Sequence, residues 1–173
     1  MQTVEQLKQG WDAAPASPKG KGVVKAIGVR KGNGEHESAE HAELTVEGGL
    51  LGDRWAAGED PKRFGQLTMM NVTVANLIAH VGRAGYQSGD NFYVDLDLGE
   101  DALAVGARMR IGTALIEVTP EPHNGCAKFM ARYGKDALRW ISEKENRPLR
   151  LRGIHCEVIE SGRVEVGDTV EVV

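Results

Sequence analysis

Apolar positions change rhythm several times along the chain, and each rhythm predicts an element. Val4 to Trp11 carries the spacing of a short helix, which the prolines and glycines of residues 13–22 terminate. Residues 1–22 therefore read as an arm, followed by a single domain over 23–173. Val23, Val24, Ile27 and Val29 form a β-branched run that ends at the turn Lys31-Gly32-Asn33-Gly34. The acidic, histidine-containing stretch from Glu35 to Glu43 reads as a loop. Val74, Leu77, Ile78 and Val81 then recur at helical spacing, with Thr73 as the expected cap and Gly82 and Gly85 as the stop.

Strict alternation returns from Phe92 to Leu98, the period of a half-buried strand. Met109 and Ile111, the Gly112-Thr113 turn and Ala114 to Thr119 predict a tight hairpin, hence antiparallel pairing. Phe129, Met130, Tyr133, Ala137, Trp140 and Ile141 follow a helical period that Gly134 divides. Short strands close the pattern: Ile154, Cys156 and Val158 share one face, then come Val164 to Val166 and Val170 to Val173. Many short strands with two intervening helical segments predict a mainly β, α+β fold, a closed or partly closed β-barrel with helical insertions.

Composition narrows the picture. With 173 residues the chain is long enough for one self-sufficient core. Two cysteines rule out a disulfide scaffold and fit a reducing, cytoplasmic setting. A formal charge of −4, from 21 basic and 25 acidic residues, provides no general attraction for nucleic acid. No segment has the length or apolarity of a signal peptide or a membrane span.

Cys126 is the most informative candidate, following His123-Asn124-Gly125 at the expected start of a helix. Unpaired N–H groups and the helix dipole favour a thiolate there, Lys128 and Arg132 add positive charge, and His123 is near enough in sequence to assist. A buried cysteine that merely occupies a helix start fits the local pattern equally well. Cys156, on an apolar strand face, reads as a small core residue, and no Cys-x-x-Cys or spaced histidine pair supports a zinc site.

Glycine-rich Gly48 to Trp55 places Asp53 beside Arg54 after a sharp bend, suited to an anion or cofactor or to a turn pinned by the two charges. Asp90 and Asn91 read first as turn formers. Arg147, Arg150 and Arg152 suit either an anionic pocket or a solvated basic face. His36 and His41 read as solvent-exposed, and His80 as a helix residue without a partner.

In order and spacing these segments resemble the MOSC domain, named for the C-terminal domain of molybdenum-cofactor sulfurase. The matching motifs are Gly-Leu-Leu-Gly-Asp-Arg at 49–54, Gly-Asp-Asn-Phe at 89–92, Val-Gly-Ala-Arg-Met-Arg-Ile-Gly at 105–112, Cys126, and the segment from Arg152 to Asp168. The chain departs at Trp55, where many members have His, and at Pro-His-Asn-Gly-Cys before the cysteine.

The resemblance implies a β-barrel and places the functional cysteine at Cys126. It also implies molybdenum cofactor (molybdopterin) with Cys126 as metal ligand. Asp53, Arg54, Asn91, Lys128, Arg150 and Arg152 are then the expected cofactor contacts, and His123 the proton-transfer residue. Reduction of N-hydroxylated compounds, with electrons from separate electron-transfer proteins, is one implied activity. Sulfur carriage as a Cys126 persulfide, loaded by a pyridoxal-phosphate cysteine desulfurase, is another. The alternative is a non-catalytic module that holds a small anion or a partner loop. Either chemical role requires Cys126 and Arg54 to meet.

Overall fold

The computed structural model describes residues 1–58 and 62–173. In chain order its main elements are α1 (Val4–Ala13), β1 (Lys21–Arg30), β2 (His36–Ala39), β3 (His41–Thr45), β4 (Gly49–Leu50), β5 (Leu67–Asn71) and α2 (Val72–Ile78). β6 (Phe92–Asp95), β7 (Arg108–Ile111), β8 (Ala114–Val118), α3 (Ala127–Ser142), β9 (Ile154–Glu160), β10 (Gly162–Glu165) and β11 (Thr169–Val172) follow.

Seven strands close into a barrel in the order β1-β11-β7-β8-β9-β5-β6 and back to β1. Six of the seven seams are antiparallel; β5 and β6 run parallel, and α2 lies in the crossover that parallel strands require. β2 extends β1 outside the barrel, and β10, β3 and β4 form a separate small sheet.

Strand alternation builds two cores from one wall. Met69, Phe92 and Val94 point into the barrel with Val24, Ile116 and Val158. Met70 and Tyr93, one residue out of phase, point outward and pack under the helices with Phe129, Tyr133 and Trp140. The segment read as an arm shares this outer core: Thr3 and Gln6 form a capping box at the start of α1, whose Val4 and Leu7 are buried.

Several expectations need correction. The stretch read as a loop over Glu35–Glu43 holds β2 and part of β3, because His36–Arg30 and Ala39–Ile27 register extends the sheet despite a polar sequence. α2 stops at Ile78 and is capped by Asn71, whose Oδ1 accepts from Thr73 and Val74. His80 consequently lies outside the helix, and its ring contacts the carbonyls of Val81 and Arg132. The alternation from Phe92 to Leu98 continues past the strand, which ends at Asp95. The expected break in α3 is present: Gly134 takes φ 88°, ψ 168°, a conformation costly for any residue with a Cβ.

Candidate functional site

β1 ends in Arg30, and its backbone and side chain both reach Asp53 in the turn after β4. Arg30 Nε donates to both Asp53 oxygens (3.1 and 2.9 Å), Nη2 donates to Oδ1 at 2.8 Å, and the Arg30 amide donates to Oδ2 at 2.8 Å. Trp55 N–H and Asn91 Nδ2 complete the shell at 2.9 Å each. Burial alone raises the Asp53 pKa, but the Arg30 guanidinium outweighs it and holds the carboxyl below its ordinary value. The partner of Asp53 is thus Arg30, twenty-three residues away, and not the adjacent Arg54, which is exposed. Arg54 instead adds its positive charge to the surroundings of His36, with Arg132.

Asp90 and Asn91 are fully buried rather than surface turn residues. Asn91 bonds the Gly28 carbonyl, the Thr68 amide and Asp53, which joins β1, β5 and the Asp53 turn. Asp90 accepts two hydrogen bonds from Arg152 Nη1, at 2.9 and 2.7 Å, and another from Ser88. Arg152, read as part of a basic face, is therefore buried, and its guanidinium also lies 5.2 Å over the Phe129 ring.

Beside this pair a cavity of about 560 Å³ opens. Its wall comes from the β8–α3 connection, the end of α3, and the segment that leads into β9. Arg147, Arg150, Arg152, His123 and His155 all line it, with Glu100 and Glu121. The His123 and His155 rings lie 4.4 Å apart. Burial, then the charges of Arg152, His155 and Arg30, push the His123 pKa well below its ordinary value; burial does the same to His155. Both rings are neutral near pH 7.

Gly153 makes this arrangement fit. A Cβ there would sit 2.1 Å from the Met69 carbonyl oxygen and 3.3 Å from His123 Nδ1, on a backbone with φ 106°. Arg150 adopts φ 48°, and its Nη1 donates to the carbonyls of Leu103 (2.6 Å) and Leu98 (3.4 Å). Among the described residues no carboxylate pairs with Arg147 or Arg150.

Cys126 is exposed, caps the N-terminus of α3 and makes no side-chain capping bond. The preceding residues Pro122 to Gly125 line the cavity, so the thiol stands one residue beyond its wall. Lys128 is exposed in the next turn. Cys156 is buried in the barrel core, where burial pushes its thiol up to about 12. No described contact joins Cys126 to Arg54 or to His123, so the expected meeting of Cys126 with Arg54 is not found, and the arginines that line the cavity are Arg147, Arg150 and Arg152 instead. The structure gathers His123, Arg150 and Arg152 around the cavity; Asp53 and Asn91 are buried in the network with Arg30 and do not line it, while Arg54 and Lys128 lie on the surface.

A family model of the MOSC domain matches residues 74–171, more than half of the chain. The chain belongs to the MOSC domain family. The matched stretch of this MOSC domain contains Asp90, the cavity and Cys126, whereas the turn at Asp53 lies outside it. Solved structures show the same fold. The YuaD protein from Bacillus subtilis is 18% identical, covers 90% of this chain and 97% of its own, and superposes with a TM-score of 0.59. YiiM from Escherichia coli is 19% identical over 87% of this chain and 69% of its own, with a TM-score of 0.60. YiiM from Geobacillus stearothermophilus is 19% identical over 88% and 75%, at 0.59. No curated protein matches this MOSC domain.

The donor set of this MOSC domain bears on the family's cofactor. Among the described residues no three His, Cys, Asp or Glu side chains cluster tightly enough to hold a metal ion. A lone accessible thiol one residue beyond the wall of a cavity whose Arg147 and Arg150 have no described carboxylate partners fits a metal that arrives with its other ligands already supplied by an anionic organic group. No described helix is long and apolar enough to cross a membrane.

Proposed function

We propose that this MOSC domain binds molybdenum cofactor through Cys126, with Arg147 and Arg150 available to the cofactor's phosphate and His123 positioned to exchange a proton with a bound substrate. The observation that carries this reading is an exposed cysteine, free of any side-chain capping bond, one residue beyond the wall of a cavity of about 560 Å³ lined by two arginines that no described carboxylate pairs. When bound, the cofactor supplies two-electron redox chemistry, and N-hydroxylated compounds are the substrate class the family suggests, with electrons from separate proteins. The chain's own contribution is a soft sulfur ligand, an anion-binding rim and a neutral imidazole able to accept a proton.

The exposure of Cys126 favours a second reading. A sulfur open to solvent is accessible to the persulfide of a pyridoxal-phosphate cysteine desulfurase. Cys126 would attack the terminal sulfur, the donor's S–S bond would break, and the donor thiolate would leave with that bond's electron pair.

One preparation separates the readings. Metal, pterin and intact-mass analysis of protein purified without oxygen from a cofactor-competent host is expected to show near-stoichiometric molybdenum and pterin, lost in Cys126→Ala. A reducible gain of one sulfur on Cys126 without metal would support the carrier instead. Neither signal would overturn both.

A further inference from the structure

His123 has an unusual environment for a cavity histidine. Its Nδ1 is buried without a hydrogen-bond partner and lies 3.6 Å from Asp90 Oδ1, too far for a hydrogen bond but the nearest acidic oxygen to it. The position a Cβ would take on Gly153 is 3.3 Å from the same nitrogen, so Nδ1 faces inward, toward the Asp90–Gly153 side. No described residue bonds Nε2, the nitrogen on the opposite side of the ring.

Asp90 is itself rigidly held. Arg152 bonds both of its oxygens through Nη1, Ser88 donates to Oδ2, and the Tyr93 hydroxyl contacts Ser88. Arg152 in turn is fixed over Phe129 in α3, yet its Nε is buried without a partner. The charged and titratable groups facing His123 are therefore Asp90, Arg152, His155 and Arg30.

A neutral imidazole carries one proton. Nitrogen next to a carboxylate keeps it, because N–H facing O⁻ is attractive whereas a lone pair facing O⁻ is repulsive. Such contacts are often long in ligand-free sites and shorten when the site fills. His155 already shows this ordering, since its Nδ1 lies 3.1 Å from the Glu121 carbonyl, an oxygen that can only accept.

We infer that Asp90, anchored by Arg152, is a positioning residue for His123: it holds the ring proton on Nδ1, so that Nε2 is presented to the cavity as a proton acceptor. The ligand class that exploits this arrangement has an O–H, N–H or S–H hydrogen to offer Nε2. The inference deepens the proposed function by assigning how His123 is prepared for it, but it concerns the cofactor-free protein and is tested there.

Nitrogen-15 correlation spectra of uniformly labelled protein report the tautomer, with His123→Gln giving the assignment. The expected result at pH 7 is a protonated Nδ1 and an unprotonated Nε2, with conversion to imidazolium only well below the ordinary histidine range. Asp90→Asn, whose amide can face Nδ1 as a donor, is expected to raise the Nε2–H population, a change that a purely structural Asp90 would not produce. A wild-type ring protonated on Nε2, or one that becomes imidazolium near pH 6.5, would overturn the inference even if Asp90→Asn fails to fold. Because these spectra need no molybdenum or sulfur donor, their outcome is independent of the metal analysis above.

Discussion

Two buried arginine–carboxylate pairs sit side by side in this molecule, linked through the neighbours Asp90 and Asn91, and they are finished to different degrees. Asp53 is enclosed by Arg30, Trp55 and Asn91, and none of the buried atoms of Arg30 or Asp53 is left without a partner. Asp90 is equally buried, yet its pair leaves Arg152 Nε and the adjacent His123 Nδ1 unpartnered. An unpaired buried polar group costs about 1–3 kcal/mol, so the second pair carries a burden that the first does not. The difference separates a structural clasp, which joins β1 to the turn after β4, from a polar end that lines a cavity.

The strongest way to break this contrast is Asp53→Ala, which strands Arg30 in the interior. Chemical denaturation is expected to show a loss of about 3–5 kcal/mol, and a loss near zero would remove the clasp from the account. The two thiols sharpen the contrast at lower energy. Cys156→Ser puts a hydroxyl in the barrel core and is expected to cost about 1–3 kcal/mol, whereas Cys126→Ser is expected to stay within about 0.5 kcal/mol. In the native protein a disulfide reagent should modify Cys126 rapidly and reach Cys156 only on unfolding.

Acid titration tests the polar end more finely. A histidine whose folded pKa is depressed binds fewer protons folded than unfolded, so its contribution is complete above about pH 6.5 and is lost as pH falls toward the folded value. His123, His155 and His36 all shift this way. Stability should decline from pH 7 to 5, and His123→Gln should flatten the decline by up to about 1.4 kcal/mol per pH unit, one proton's worth. An unchanged slope would mean that His123 titrates freely. Asp53 acts lower, since its pKa is depressed from a carboxylate value and its contribution fades only below about pH 4.

Much of the barrel was legible in the pattern because a period of two survives burial on both faces. Phe92 to Asp95 and the Met109–Thr119 hairpin are visible for that reason. β2 was not, because an edge strand outside the barrel has no apolar face to record its period. At the site, Cys126 and the three arginines stood out as residue types, but their differing fates did not. Arg30 sits at a strand end with nothing local to mark it, and its pairing with Asp53 depends on how β1 lies against the turn. Asp90 was masked by its own chemistry, since Gly-Asp-Asn before a strand is ordinary turn composition. The one available hint was the same triplet's place in a spaced series of motifs.

The seam between β1 and β11 pairs Lys21 with Glu171, residues 150 apart, and the remaining five strands of the barrel lie between them in sequence. Closure therefore has to wait until nearly the whole circuit has been ordered, and its entropic cost falls late. Domains dominated by such distant pairings fold in roughly milliseconds to seconds, so refolding should be slow for the chain's size. Until the seam forms, β1 and β11 each expose an unpaired edge, which makes the nearly closed barrel the species most prone to self-association during folding.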